Sequence, residues 1–124
     1  MIYDLEGRTL KFSREMLAVL SSIEPNTWNK NIINQLLRSA TSVGANYREA
    51  NSAISKSDFK NKVFICRKEI NETKYWIELL ADVSKDKKAE LRPLWTEAQQ
   101  LSRIFNKICF SLRNKQFKQE KIEE

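Results

Sequence analysis

The sequence predicts an all-α fold, an antiparallel up-down-up-down four-helix bundle, on three observations. Only two glycines and two prolines occur in 124 residues, which argues against turn-dense β-sandwiches and barrels. Apolar residues recur at alternating spacings of three and four in four separate stretches, the seam of a helix packed on other helices. The breaks between these stretches are short, and short connections make consecutive helices antiparallel neighbours. A chain of this length is expected to be a single domain that buries a core without metal or disulfide staples. The bundle is assigned to residues 1–115, and the charged segment 116–124 is expected to fray.

The first helix carries the seam Leu5, Thr9, Phe12, Met16, Val19 and Ile23 and stops at Pro25. Asn26 and Thr27 are candidate caps for the restart. The second seam runs Ile33, Leu36, Ala40, Val43, Tyr47, Ala50 and Ile54. No glycine or proline marks its end, but Ser57 with Asp58 is a cap candidate for the third helix. That helix carries Phe59, Val63, Cys66, Ile70, Thr73, Ile77 and Leu80. The polar run Asp82 to Lys88 offers Ser84 and Asp86 as caps. The fourth seam is Leu91, Leu94, Ala98, Leu101, Phe105, Ile108 and Leu112, with Pro93 tolerable if it lies in the first turn. A repeat averaging 3.5 residues predicts left-handed packing at shallow crossing angles.

Histidine is absent. That excludes Ser-His-Asp and Cys-His catalysis, His-ligated zinc and the Glu-x-x-His ligands of di-iron bundles, so no catalytic residue, metal or cofactor is expected. Lysine and arginine total 22 against 16 acidic residues, a net charge of +6. Such a surplus suits nucleic acid, an acidic protein or an anionic membrane surface, and equally a solvated mixed-charge surface that leans positive. Cys66 and Cys109 sit inside apolar stretches and read as reduced core residues. No secretory signal is visible at the start, and no apolar run approaches the roughly 18 residues that span a bilayer. A cytoplasmic protein with no membrane partner is expected.

The run Arg38-Ser39-Ala40-Thr41-Ser42-Val43-Gly44-Ala45-Asn46-Tyr47-Arg48-Glu49-Ala50 resembles the signature of the four-helix-bundle proteins encoded in intervening sequences of bacterial 23S ribosomal RNA. The resemblance extends to Tyr3-Asp4-Leu5-Glu6, Ser57-Asp58-Phe59, Lys68-Glu69 and Tyr75-Trp76, and it is weakest in the fourth helix. It implies an antiparallel bundle assembled as a pentameric ring. A relative of that family, the accessory variability determinant of diversity-generating retroelements, binds reverse transcriptase and nucleic acid.

Gly44 lies mid-helix, where glycine costs about 1 kcal/mol relative to alanine. With Ser39, Ala40, Ser42 and Ala45 it forms a small-residue patch, suited to close approach of a neighbouring helix or of a ligand. Arg38, Asn46, Glu49, Lys62, Glu69 and Glu72 lie near the seams of helices two and three. In an antiparallel pair, Glu49 falls level with Lys62, and Arg38 falls near Glu72 and Tyr75. A cross-helix ion-pair network shielded from water is the expected reading, against acid-base or metal work by Glu69 and Glu72. The aromatic residues Trp28, Tyr47, Phe64, Tyr75, Trp76, Trp95 and Phe110 exceed one narrow seam. They suit a wide core face, an interface between copies, or base stacking.

Lys60, Arg67 and Lys74 repeat every seven residues on one ridge of helix three, and Lys56 lies one turn before them. They are candidates for phosphate contact, with a solvated face as the alternative. Function is therefore read as a non-catalytic homo-oligomer, a pentamer by the resemblance, that binds RNA or DNA through backbone charge. The competing reading is a protein-interaction scaffold, for example an accessory subunit of a reverse transcriptase.

Overall fold

A computed structural model describes the backbone of residues 4–123 and the side chains of residues 4–114, so Tyr3 lies outside the described residues. The helix α1 (Leu5–Ser21) starts at Asp4, whose carboxylate accepts the Gly7 N–H at 2.9 Å. A side chain at position 7 would collide with that carboxylate, so glycine lets Asp4 fold back over the first turn. Ile23 follows the helix yet still packs on the core.

The next loop is closed by two asparagines. Asn26 Oδ1 accepts the N–H groups of Trp28 and Asn29 at 2.8 and 2.9 Å, and Asn29 Oδ1 accepts that of Asn26 at 2.7 Å. Asn29 is buried, and its amide also donates to the Glu24 carbonyl. These bonds satisfy loop backbone that would otherwise compete with the start of α2 (Lys30–Asn51).

Two expectations are corrected at the next break. The cap of α3 (Lys56–Val83) is Ser55, which accepts the Asp58 N–H at 3.0 Å, and Ser57 already sits in the first turn. Ile54 is 98% exposed. It misses the seam because the chain leaves the helix at Asn51, where the Ser52 and Ala53 N–H groups tie back to Glu49 and Ala50. A short 3-10 turn at Lys85–Lys87 then leads into α4 (Lys88–Glu123). Pro93 lies inside α4, beyond its first turn, and removes the donor that the Ala89 carbonyl would have met. Ala89 and Pro93 are exposed, so water reaches that carbonyl. The backbone of α4 runs on to Glu123; the side chains of the segment expected to fray lie outside the described residues.

Side-chain contacts fix the helix directions. Between α2 and α3, Ser39 meets Thr73, Val43 meets Cys66 and Glu49 meets Lys62. As one number rises the other falls, so the pair is antiparallel. The same holds for α3 and α4, where Val63 meets Cys109, Asn71 meets Ser102 and Lys74 meets Gln99. Thr9 beside Gly44 and Ser13 beside Ala40 set α1 against α2. Consecutive helices are neighbours and α1 also touches α4, which closes the four-helix bundle.

The core is built from the seams. Phe12, Met16, Leu36, Ile70, Leu80, Leu91, Leu101 and Phe105 are fully buried, each contributing about 1.5–3 kcal/mol relative to exposure. A Cβ on Gly44 would stand 3.2 Å from Thr9 Oγ1 and 3.3 Å from its Cβ. Gly44 thus admits α1 rather than an open ligand space, while Ser39 of the same patch faces Thr73 on α3.

Candidate functional site

Polar side chains gather on two faces of α3, and the faces differ in kind. Toward α2, Arg38 donates to Glu69 Oε2 at 3.0 Å, to Glu72 Oε1, and through Nε to Gln35 at 3.1 Å. Glu72 also accepts the Trp76 indole N–H at 3.1 Å. Below this cluster the Thr73 hydroxyl donates to the Glu69 carbonyl at 2.8 Å and lies 3.0 Å from the Ser39 hydroxyl. The hydrogen bond from Arg38, then that from Trp76, holds the Glu72 carboxyl below its ordinary value, and Glu72 in turn raises the Arg38 guanidinium. Glu69 is 9% exposed and committed to Arg38. Both carboxylates are thus engaged by one guanidinium.

Glu49 and Lys62 meet at 2.7 Å, and this hydrogen bond raises the Lys62 ammonium above its usual range. They are not shielded as expected, for the Glu49 side chain is 59% exposed. Their level lies beside the loop that joins α2 to α3, and water reaches both groups. Asn46 does not cross between helices. Its amide donates at 2.9 Å to the Ser42 carbonyl and hydroxyl, one turn back on α2. Gly44 faces α1.

Toward α4 the cations rest on aromatic rings. Lys60 Nζ lies 5.8 Å from the Phe64 ring centre, with the Arg67 guanidinium at 5.5 Å and that of Arg113 at 5.3 Å. Among the described residues no carboxylate pairs with any of the three. Lys74, on the same ridge, is spent differently: its ammonium donates to Gln99 Oε1 and sits 5.5 Å above Trp95. The ridge therefore borders α4 instead of standing free, and Lys60, Arg67 and Lys74 are half-buried. Lys56 is exposed in the first turn of α3. Beyond Lys74 the α3–α4 junction opens into a groove of about 220 Å³, lined by Ile77, Ala81, Leu91 and Trp95 and rimmed by Glu78, Lys88 and Arg92.

The sequence reading missed Arg113. Its signal was available in the antiparallel register, which sets residue 113 beside residues 60 and 64. It also missed the pair of α1 and α4, in which Arg8 grips Glu97 through two bonds of 2.8 Å and Gln100 through a third. Cys66 and Cys109 are buried free thiols. Burial pushes the Cys66 thiol up to about 12 and raises Cys109 as well, which suppresses the reactive thiolate. Among the described residues no cluster of histidine, cysteine, aspartate or glutamate could hold a metal ion, and no helix is long and apolar enough to cross a membrane.

Comparison with known proteins now decides the family, because residues 7–107 match the 23S rRNA-intervening sequence protein family. The chain belongs to that family. A solved structure described as a protein of unknown function from the S23 ribosomal protein family of Bacteroides thetaiotaomicron is 30% identical. The alignment covers 85% of this chain and 97% of that one, with a TM-score of 0.72. No curated protein matches the chain in sequence. The intervening-sequence family match spans all of α2 and α3 and ends at residue 107. It includes the ion-paired face and Lys60, Arg67 and Lys74 of the second face but not Arg113.

Proposed function

We propose that this protein is a non-catalytic, oligomeric helical module of the cytoplasm that binds RNA or DNA through backbone charge. The observation that carries the reading is the group of Lys60, Arg67 and Arg113 around Phe64, three cations without a carboxylate partner among the described residues. Paired cations such as Arg38 are already neutralised, whereas these three retain an unmet field. Lys56 extends the same edge at the start of α3. Phosphate contacts of this kind carry affinity without reading sequence.

Oligomerisation is supported by large apolar side chains that one bundle leaves exposed: Trp28 at 77% and Ile54 at 98%. The number five follows from the resemblance to ring-forming relatives. A ring repeats the basic edge in every subunit, so linked weak contacts act together on one polymer. The same exposed residues favour a second reading, a scaffold that docks a protein partner such as a reverse transcriptase. Light scattering at micromolar concentration tests the assembly, and a mass matching one chain removes it. Anisotropy of labelled oligonucleotides tests the binding, and no signal at low salt transfers the proposal to the scaffold reading.

A further inference from the structure

The basic collar of Phe64 has an aromatic neighbour that the core does not use. Val63 against Cys109 fixes the local register of α3 and α4, so Phe110 stands within about two residues, roughly 3 Å, of the level of Phe64, on the outer flank of α4. Phe110 is 66% exposed and lies just under one turn before Arg113. We infer that this face binds an unpaired polynucleotide strand, its phosphates on Lys60, Arg67 and Arg113 and one base stacked on the ring of Phe110. The inference rests on the nucleic-acid reading above and narrows it to single strands.

Three observations lead there. The three cations share one ring, and the ring's negative face offsets only part of their mutual repulsion. An anion between them relieves the remainder. Lys60 and Arg67 are two turns apart, about 10 Å along α3 at 1.5 Å per residue, so the charges form a short track and not a point. Phe110 adds a π-face at the edge of that track. Cations along a backbone with an aromatic platform beside them are the means by which proteins hold single strands without sequence preference. A duplex keeps its bases stacked inside, where a side chain on a helix surface cannot reach their faces. Phenylalanine offers no hydrogen bond, so no base is favoured by readout.

The test uses the full chain with labelled oligothymidylate, labelled oligouridylate and a duplex of mixed sequence. Wild type is expected to bind the single strands about tenfold more tightly than the duplex at equal phosphate concentration. Phe110→Ala should lose about tenfold on single strands, in the range of one stacking contact, with duplex binding and solution mass unchanged. The triple change Lys60→Gln, Arg67→Gln, Arg113→Gln should flatten the single-strand salt slope by about 2, at roughly 0.7 per phosphate contact. Equal binding of duplex and single strand, indifferent to Phe110→Ala, overturns the inference while the broader nucleic-acid reading stands. Binding of none of the probes overturns both. If Phe110→Ala instead reduces the oligomer to single chains, the ring belongs to an interface between copies, and its role in stacking is overturned.

Discussion

The two sides of α3 dispose of their cations in opposite ways. Toward α2, Arg38 and Lys62 end on the carboxylates of Glu69, Glu72 and Glu49. Toward α4, Lys60, Arg67 and Arg113 end on Phe64, and Lys74 on Gln99 and Trp95. An ion pair cancels a cation's long-range field, whereas an aromatic ring holds the cation in place and leaves its charge nearly intact. The first face therefore sets helix register, and the second stays electrostatically open. Charge spacing alone does not separate these outcomes; what stands opposite on the neighbouring helix does.

The largest effect should come from breaking the paired face. Arg38→Met strands the nearly buried Glu69, and denaturant unfolding should show a loss of about 2 kcal/mol. Adding Glu69→Gln should recover part of that loss, because the stranded charge is gone. An equal loss in the single and double variants would show that Glu69 is solvated without Arg38.

A smaller effect is expected on the open face. Phe64→Leu keeps apolar bulk but removes the ring under three cations, at a cost of about 1 kcal/mol in thermal or denaturant unfolding. A loss matching that of Arg38→Met would mean that Phe64 is a core residue rather than a charge platform.

Acid should sharpen the contrast. Glu72 is held below its ordinary value near 4.5 by Arg38 and Trp76. A depressed folded value means that its stabilisation is present above pH 4.5 and is lost as pH falls through the folded value. Unfolding of wild type and Glu72→Gln between pH 7 and pH 3 should show the wild-type advantage shrinking over that interval. A gap that does not change with pH contradicts the pairing. The smallest effect belongs to Glu49 and Lys62, which meet in open solvent. A double-mutant cycle of Glu49→Gln and Lys62→Met should give slight coupling, reduced further by salt.

Much of the bundle was legible because helix periodicity and short loops are local signals. Leu36, Val43, Val63, Ile70, Leu101 and Phe105 read as core from spacing alone and are buried. Ile54 misled because it kept the spacing after the helix had ended, and nothing in the local residues announces that end. Ser55 and Ser57 are both good caps by type, and only backbone geometry chooses between them. Within the site, the meeting of Glu49 with Lys62 followed from antiparallel counting, but its exposure did not. Counting gives level, whereas depth depends on where each side chain stands relative to the helix–helix seam. Arg113 was hidden for a related reason. Its partners come from another helix, so its role emerges only once α3 and α4 are set in register.

The most direct measurement compares the two faces by salt dependence. Anisotropy of a labelled oligonucleotide would be followed across a salt series for wild type, for Lys62→Gln on the paired face, and for the Lys60→Gln, Arg67→Gln, Arg113→Gln variant on the open face. The account predicts a steep slope for wild type, the same slope for Lys62→Gln, and a clearly shallower one for the triple variant with unchanged solution mass. A triple variant as steep as wild type, or a Lys62→Gln variant as shallow as the triple, would contradict it.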